Sequence, residues 1–134
     1  MTEEEKLIDA FFLPSKKDRY KGFIQSARTR KKFLAELCHC TGLDNRFRYE
    51  IPGPQQTVEG IVGLLKGNGA GDECVAISDV KEIDATRLSL EDALATVLGR
   101  TFGTFLSCKP GRLAYFENED GRWILKRSDY ASNS

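Results

Sequence analysis

His39 is the single histidine among 134 residues, and it stands between two thiols in Cys38-His39-Cys40. Thiolate and imidazole are preferred ligands of zinc, which binds them tetrahedrally, usually with two to four residues between paired cysteines. One intervening residue puts Cys38 and Cys40 about 200° apart around a helix, so a helix running through both keeps them off a common ion. A site would need the helix to have ended, with Cys74 or Cys108 brought in from elsewhere. The spacing therefore predicts no metal and no cofactor, with Cys38 in the core and His39 and Cys40 near a helix end.

Two other residues are candidates for catalysis. Cys108 precedes Lys109 and lies close to Arg112, and neighbouring cations lower a thiol's pKa towards a nucleophilic thiolate. Its spacing to Arg112 is too short for a phosphatase-type phosphate loop, and the plainer alternative is a small apolar side chain in a hairpin. Asp79, with Glu82 and Asp84, follows the apolar run Cys74-Val75-Ala76-Ile77. Carboxylates just beyond a strand's carboxyl end are a common place for metal ligands and acid–base groups. The residues to test for an enzyme acting on a phosphate-containing substrate, with or without metal assistance, are Asp79 and Cys108. The alternative for the acidic run is a solvated loop. Gly67-x-Gly69-x-Gly71 follows a helical pattern and opens a strand, the reverse of a dinucleotide-binding loop, and it lacks the Gly-Lys-Ser/Thr of a P-loop.

Charge offers a different kind of site. Twenty basic and twenty acidic residues cancel, and the pI is near 6.6, which argues against a histone-like electrostatic role. The balance is uneven along the chain. Between Pro14 and Arg48 ten basic residues face only Asp18, Glu36 and Asp44, so this segment carries +7 and the rest −7. Lys16, Lys17, Arg28, Arg30, Lys31 and Lys32 form a basic helical stretch, and Arg46-Phe47-Arg48-Tyr49 places two aromatics between cations in a loop. Such a surface suits an acidic protein partner or the acidic part of a second copy. Nucleic acid is the other ligand of this chemistry, with bases stacking on exposed aromatics. The helical spacing of Tyr20, Phe23 and Phe33 points those rings inward instead.

The elements that must position these groups follow from capping and periodicity. Thr2 and Glu5 form a capping box ahead of the apolar face Leu7, Ile8, Phe11 and Phe12. Ser15 is the expected cap of a second helix and Thr29 the start of a third, with a break between them. Residues 43–56 read as irregular because Ile51-Pro52-Gly53-Pro54 cannot continue a helix. Thr57 caps a fourth helix, and Ser89 with Asp92 starts a fifth. Strands are expected at 74–77, 102–107, 113–117 and 122–126. Lys109-Pro110-Gly111-Arg112 fits a type II turn, with proline second and glycine third.

The expected architecture is α+β: about four N-terminal helices on a small mixed sheet of about four strands. One βαβ crossover joins parallel neighbours, and antiparallel hairpins close the chain. Residues 1–134 read as a single domain, helical over 1–67 and sheet-forming over 73–127. Helices covering only one face would leave Tyr115, Phe116 and Trp123 as an exposed apolar patch. The N-terminus is acidic rather than signal-like, and segment 130–134 carries no lipidation signal. Apolar runs stop at four or five residues, far short of the roughly 20 needed to span a bilayer. A cytoplasmic protein with no membrane partner and reduced thiols is expected. The functional expectation is a non-catalytic binding module that uses its basic helical segment.

Overall fold

The computed structural model describes residues 1–40 and 42–127, so segment 130–134 lies outside the described residues. The chain opens with three helices, α1 (Glu3–Phe11), α2 (Lys17–Phe23) and α3 (Ala27–Glu36). The capping box at the start of α1 forms in both directions: Glu5 N donates to Thr2 Oγ1 at 3.1 Å, and Thr2 N donates to Glu5 Oε1 at 2.8 Å. Leu7, Ile8 and Phe11 are buried, as the spacing requires.

The next two caps differ from expectation. Lys16, not Ser15, precedes α2, because the backbone already closes a turn there, with Lys16 N donating to Leu13 O at 2.8 Å. Ser26 caps α3 by accepting from Thr29 N, while the Thr29 hydroxyl donates back to Phe23 O at 2.7 Å and staples the break between α2 and α3. Helix α3 ends at Glu36, and Leu37–His39 tightens into a 3-10 turn.

Six strands build the sheet: β1 (Arg48–Glu50), β2 (Glu73–Ser78), β3 (Arg87–Ser89), β4 (Gly103–Lys109), β5 (Leu113–Asn118) and β6 (Gly121–Lys126). Their order is β1-β6-β5-β4-β2-β3, and every neighbouring pair is antiparallel. This corrects the mixed sheet with parallel neighbours. Strand β3 reverses the chain after β2, through a turn in which Ala85 takes a φ of 63° and its N donates to Ala76 O at 2.9 Å. As a result β3 and β4 run in the same direction on either side of β2. The helix between them, α5 (Leu90–Val97), crosses over a strand instead of linking neighbours. Strand β1 arises inside the stretch expected to be irregular, paired by Tyr49↔Ile124 and its flanking residues.

The α+β class holds, with helices on both faces of the sheet. One face (Ala76, Leu106, Leu113, Tyr115, Ile124) packs against α5 and α4 (Val58–Gly67), with Thr57 and Ser89 as their caps. The other (Ile77, Phe105, Ala114, Phe116, Leu125) packs against α1–α3. Tyr115 and Phe116 therefore point into opposite cores and are fully buried, so they form no exposed patch. The Phe116 ring contributes about 1.5–3 kcal/mol by leaving water. Trp123 is half-buried, stacked on Phe116 at 5.6 Å between ring centroids. The turn at Lys109–Arg112 forms as the residue types require: Arg112 N donates to Lys109 O at 2.9 Å and Gly111 has a φ of +69°.

No helix among the described residues is long and apolar enough to cross a membrane.

Candidate functional site

Helix α3 carries four basic residues, and the 100° turn per residue divides them. Arg28, Lys31 and Lys32 fall within an arc of about 100° with Ala35 at its centre, and these three cations and Ala35 are exposed. Arg30 points the other way. Its guanidinium donates twice to Asp84 (2.8 and 2.9 Å) and twice to Glu4 (2.7 and 2.8 Å). Those forks tie α3 to α1 and to the β2–β3 connection, and they push the Arg30 pKa further up. Among the described residues, Arg28, Lys31 and Lys32 make no ion pair. The basic run thus separates into one cation used inside the protein and three offered to solvent.

Beside this face lies a groove of about 430 Å³ between α3 and the β2–β3 connection. Ala27, Leu34 and Ala35 supply its apolar wall, and Lys31, Lys81 and the internally paired Arg30 its cations. The groove also contains Asp79 and Asp84, but both are occupied from within. Asp84 accepts from Arg30 and from Ser78 N at 2.9 Å. Asp79 accepts from the Thr101 hydroxyl, from Phe102 N at 3.2 Å and from Gly103 N at 3.4 Å. The same network continues through Thr104 to Ser78. Asp79 thus caps the loop leading into β4, with its oxygens already serving three donors. That loop presents Phe102, which is 62 % exposed. Lys81 was missed by sequence reasoning because it stands alone in a loop with no pattern around it, and Phe102 because it reads as the first residue of the strand expected at 102–107, whereas β4 begins at Gly103.

The second basic site is taken up differently. Arg46 pairs with Asp44 at 2.8 Å and holds that carboxyl below its ordinary range. Phe47 is buried under the guanidinium groups of Arg46 and Arg127, at 5.0 and 4.3 Å. Arg48 lies over Trp123 at 5.0 Å. Only Tyr49, 49 % exposed, is available for stacking. Arg46 and Arg48 share a cleft with Asp44, which already engages the Arg46 guanidinium. Lys16 and Lys17 sit at the start of α2, and Lys17 faces a separate cleft beside Lys6 and Asp9.

Cys108 is buried, and burial pushes its thiol far up. Cys74 is likewise pushed up to about 12. A thiol of that acidity is protonated at neutral pH and is not a ready nucleophile.

Because α3 ends at Glu36, the Cys-His-Cys triplet is not on a regular helix. Cys38 and His39 meet Glu119 at the β5–β6 turn, with one ligand atom from each lying within 4.8 Å of the others. Sequence reasoning looked to Cys74 and Cys108 for further ligands; the structure brings a carboxylate instead. No protein-family model, curated protein or solved structure matches the chain, so function has to be read from the chemistry of these surfaces.

Proposed function

We propose that this chain is a non-catalytic binding module that captures an acidic protein segment along the outward face of α3. The observation that carries the reading is the division of charge on that helix: Arg30 is consumed internally, while Arg28, Lys31 and Lys32 face solvent without a partner among the described residues. The adjoining groove supports a protein ligand. Its apolar wall suits an apolar side chain, and Lys31 and Lys81 suit flanking carboxylates. Nucleic acid fits less well, because Tyr20, Phe33 and Phe47 are buried and α3 itself presents no exposed aromatic on which a base could stack, which leaves Tyr49 and Phe102 isolated on other elements.

The reading is tested by selecting peptides from a random display library with the wild-type chain and with the Lys31→Glu/Lys32→Glu variant. Wild type should enrich peptides with acidic residues around an apolar one, and the variant should not, while its melting temperature stays within a degree or two of wild type. Equal selection by both proteins would end the proposal. Loss of oligonucleotide binding in the variant, with no peptide enriched by wild type, would replace the protein partner with nucleic acid.

A further inference from the structure

The α3 face leaves unused the densest group of metal-type ligands among the described residues. His39 Nε2 lies 3.3 Å from Glu119 Oε2, and His39 Nδ1 lies 3.4 Å from Asp120 Oδ2. Cys38 completes the cluster. Bond lengths of about 2.0–2.3 Å to zinc place tetrahedral ligands roughly 3.3–3.6 Å apart, so the imidazole–carboxylate separation already matches. The Cys38 thiol lies within 4.8 Å of the other ligand atoms and donates to Ala35 O at 3.4 Å, a bond it exchanges for the ion on binding. Asp120 supplies the outer partner that metal-bound histidines ordinarily have, a carboxylate on the second ring nitrogen that fixes tautomer and orientation.

The two halves of the cluster come from distant parts of the chain and are held in place by buried contacts. Asn118 is buried, and its Nδ2 donates to Leu37 O at 3.1 Å, joining the hairpin to the 3-10 turn. Its Oδ1 accepts from Asp120 N at 2.8 Å and shapes the turn that presents Glu119 and Asp120. On the other side, the backbone at Gly103 comes so close that a Cβ there would sit 2.3 Å from Leu37 Cβ. His39 and Glu119 are exposed and Cys38 is half-buried, over backbone that these contacts tie together.

We infer that Cys38, His39 and Glu119 form a binding site for a zinc-class divalent ion, with Asp120 orienting the imidazole and solvent taking the fourth position. A thiolate, an imidazole and a carboxylate together favour zinc or cobalt over magnesium or calcium, which require oxygen ligands. Cys40 lies outside the cluster, although it lines the same small cleft as Cys38 and His39.

Cobalt reports directly on thiolate ligation, so the experiment is titration of the reduced full-length chain with Co²⁺. Wild type should develop a thiolate-to-cobalt charge-transfer band that saturates at one equivalent and is displaced by Zn²⁺. Cys38→Ser should lose the band. His39→Ala and Glu119→Gln should weaken binding by at least about tenfold, and Asp120→Asn by about tenfold. Cys40→Ser should bind as wild type. Circular dichroism confirms that each variant is folded. Absence of a saturable band in wild type, even in large cobalt excess, overturns the site, as does a band that survives in folded Cys38→Ser.

Discussion

At the scale of single residues, the clearest contrast is between Arg30 and its neighbour Lys31. Arg30 fills both forks of its guanidinium with Glu4 and Asp84, and all three side chains are largely buried. Removing it leaves two carboxylates facing each other out of water. Arg30→Ala should therefore lower stability by about 3 kcal/mol, the usual cost of breaking a buried ion pair, and Arg30→Lys should recover little because an ammonium cannot form both forks. Lys31→Ala should stay within about 0.5 kcal/mol of wild type. Urea unfolding of the three variants measures this directly, and equal effects at the two positions would contradict the division of charge on α3.

The thiols sort in the same way. Burial disfavours the thiolate: Cys74 is pushed up to about 12, and Cys108 and Cys40 are raised as well. At mildly alkaline pH iodoacetamide should modify Cys38 first, Cys40 slowly, and the other two only after unfolding; adduct counting by mass spectrometry follows the order. A raised folded pKa also fixes the sign of the pH dependence. Above the ordinary thiol range near 9 the unfolded chain releases protons that the folded chain retains. The stability these thiols contribute is intact below that range and declines as pH rises towards 12.

At the scale of elements, what could be read from sequence depended on whether the signal was local. Thr2, Thr57 and Ser89 are caps because a hydroxyl three residues ahead of a backbone N–H suffices to satisfy it, whatever the rest of the chain does. Thr57→Ala should accordingly cost about 1 kcal/mol. The type II turn at Gly111 was legible for the same reason. Strands β1 and β3 were not, because three residues are too few to display alternation. Each exists only through a partner strand, and for β1 that partner lies more than 70 residues away. Missing β3 is what turned an antiparallel sheet into an expected parallel pair.

The candidate sites divide similarly. The outward arc of α3 follows from helical periodicity, and the same periodicity assigns Arg30 to the opposite face once the run is split by angle instead of counted as a block. The meeting of His39 with Asp120 spans 81 positions and leaves no local trace. The packing that creates it has its own test. Gly103→Ala forces a methyl into the Leu37 side chain and close to its backbone, which should cost roughly 1–3 kcal/mol by overpacking. Because Leu37 anchors the turn that carries Cys38 and His39, the same variant should weaken cobalt binding while leaving α3 peptide capture nearly unchanged. Parallel loss of both activities would show that the two surfaces are not independent.

At the scale of the whole molecule, zero net charge conceals a modest separation between layers: α1–α3 carry eight basic and six acidic residues, α4 and α5 one basic and three acidic. The sheet divides the helices into α1–α3 on one face and α4–α5 on the other. On the first, Arg28, Lys31 and Lys32 are exposed, while Glu3 and Glu4 are drawn into contacts with Arg87, Ser107 and Arg30. On the second, Glu59, Glu91 and Asp92 are exposed. A charge separation of this kind lets the basic layer of one copy meet the acidic layer of the next, head to tail. The edges of the sheet do not compete as a route to association, since β1 and β3 are three residues each and carry charged side chains. The attraction is between exposed charges, so salt decides its reach: the screening length is about 30 Å at 0.01 M and about 8 Å at 0.15 M. Sedimentation velocity at these two ionic strengths should show concentration-dependent self-association at the lower and a monomer at the higher. Lys31→Glu/Lys32→Glu should abolish the low-salt association. A dimer that persists at 0.15 M in this variant would mean that copies meet through apolar contact elsewhere. The α3 face would then no longer account for association between copies, and its role would have to stand on an acidic partner alone.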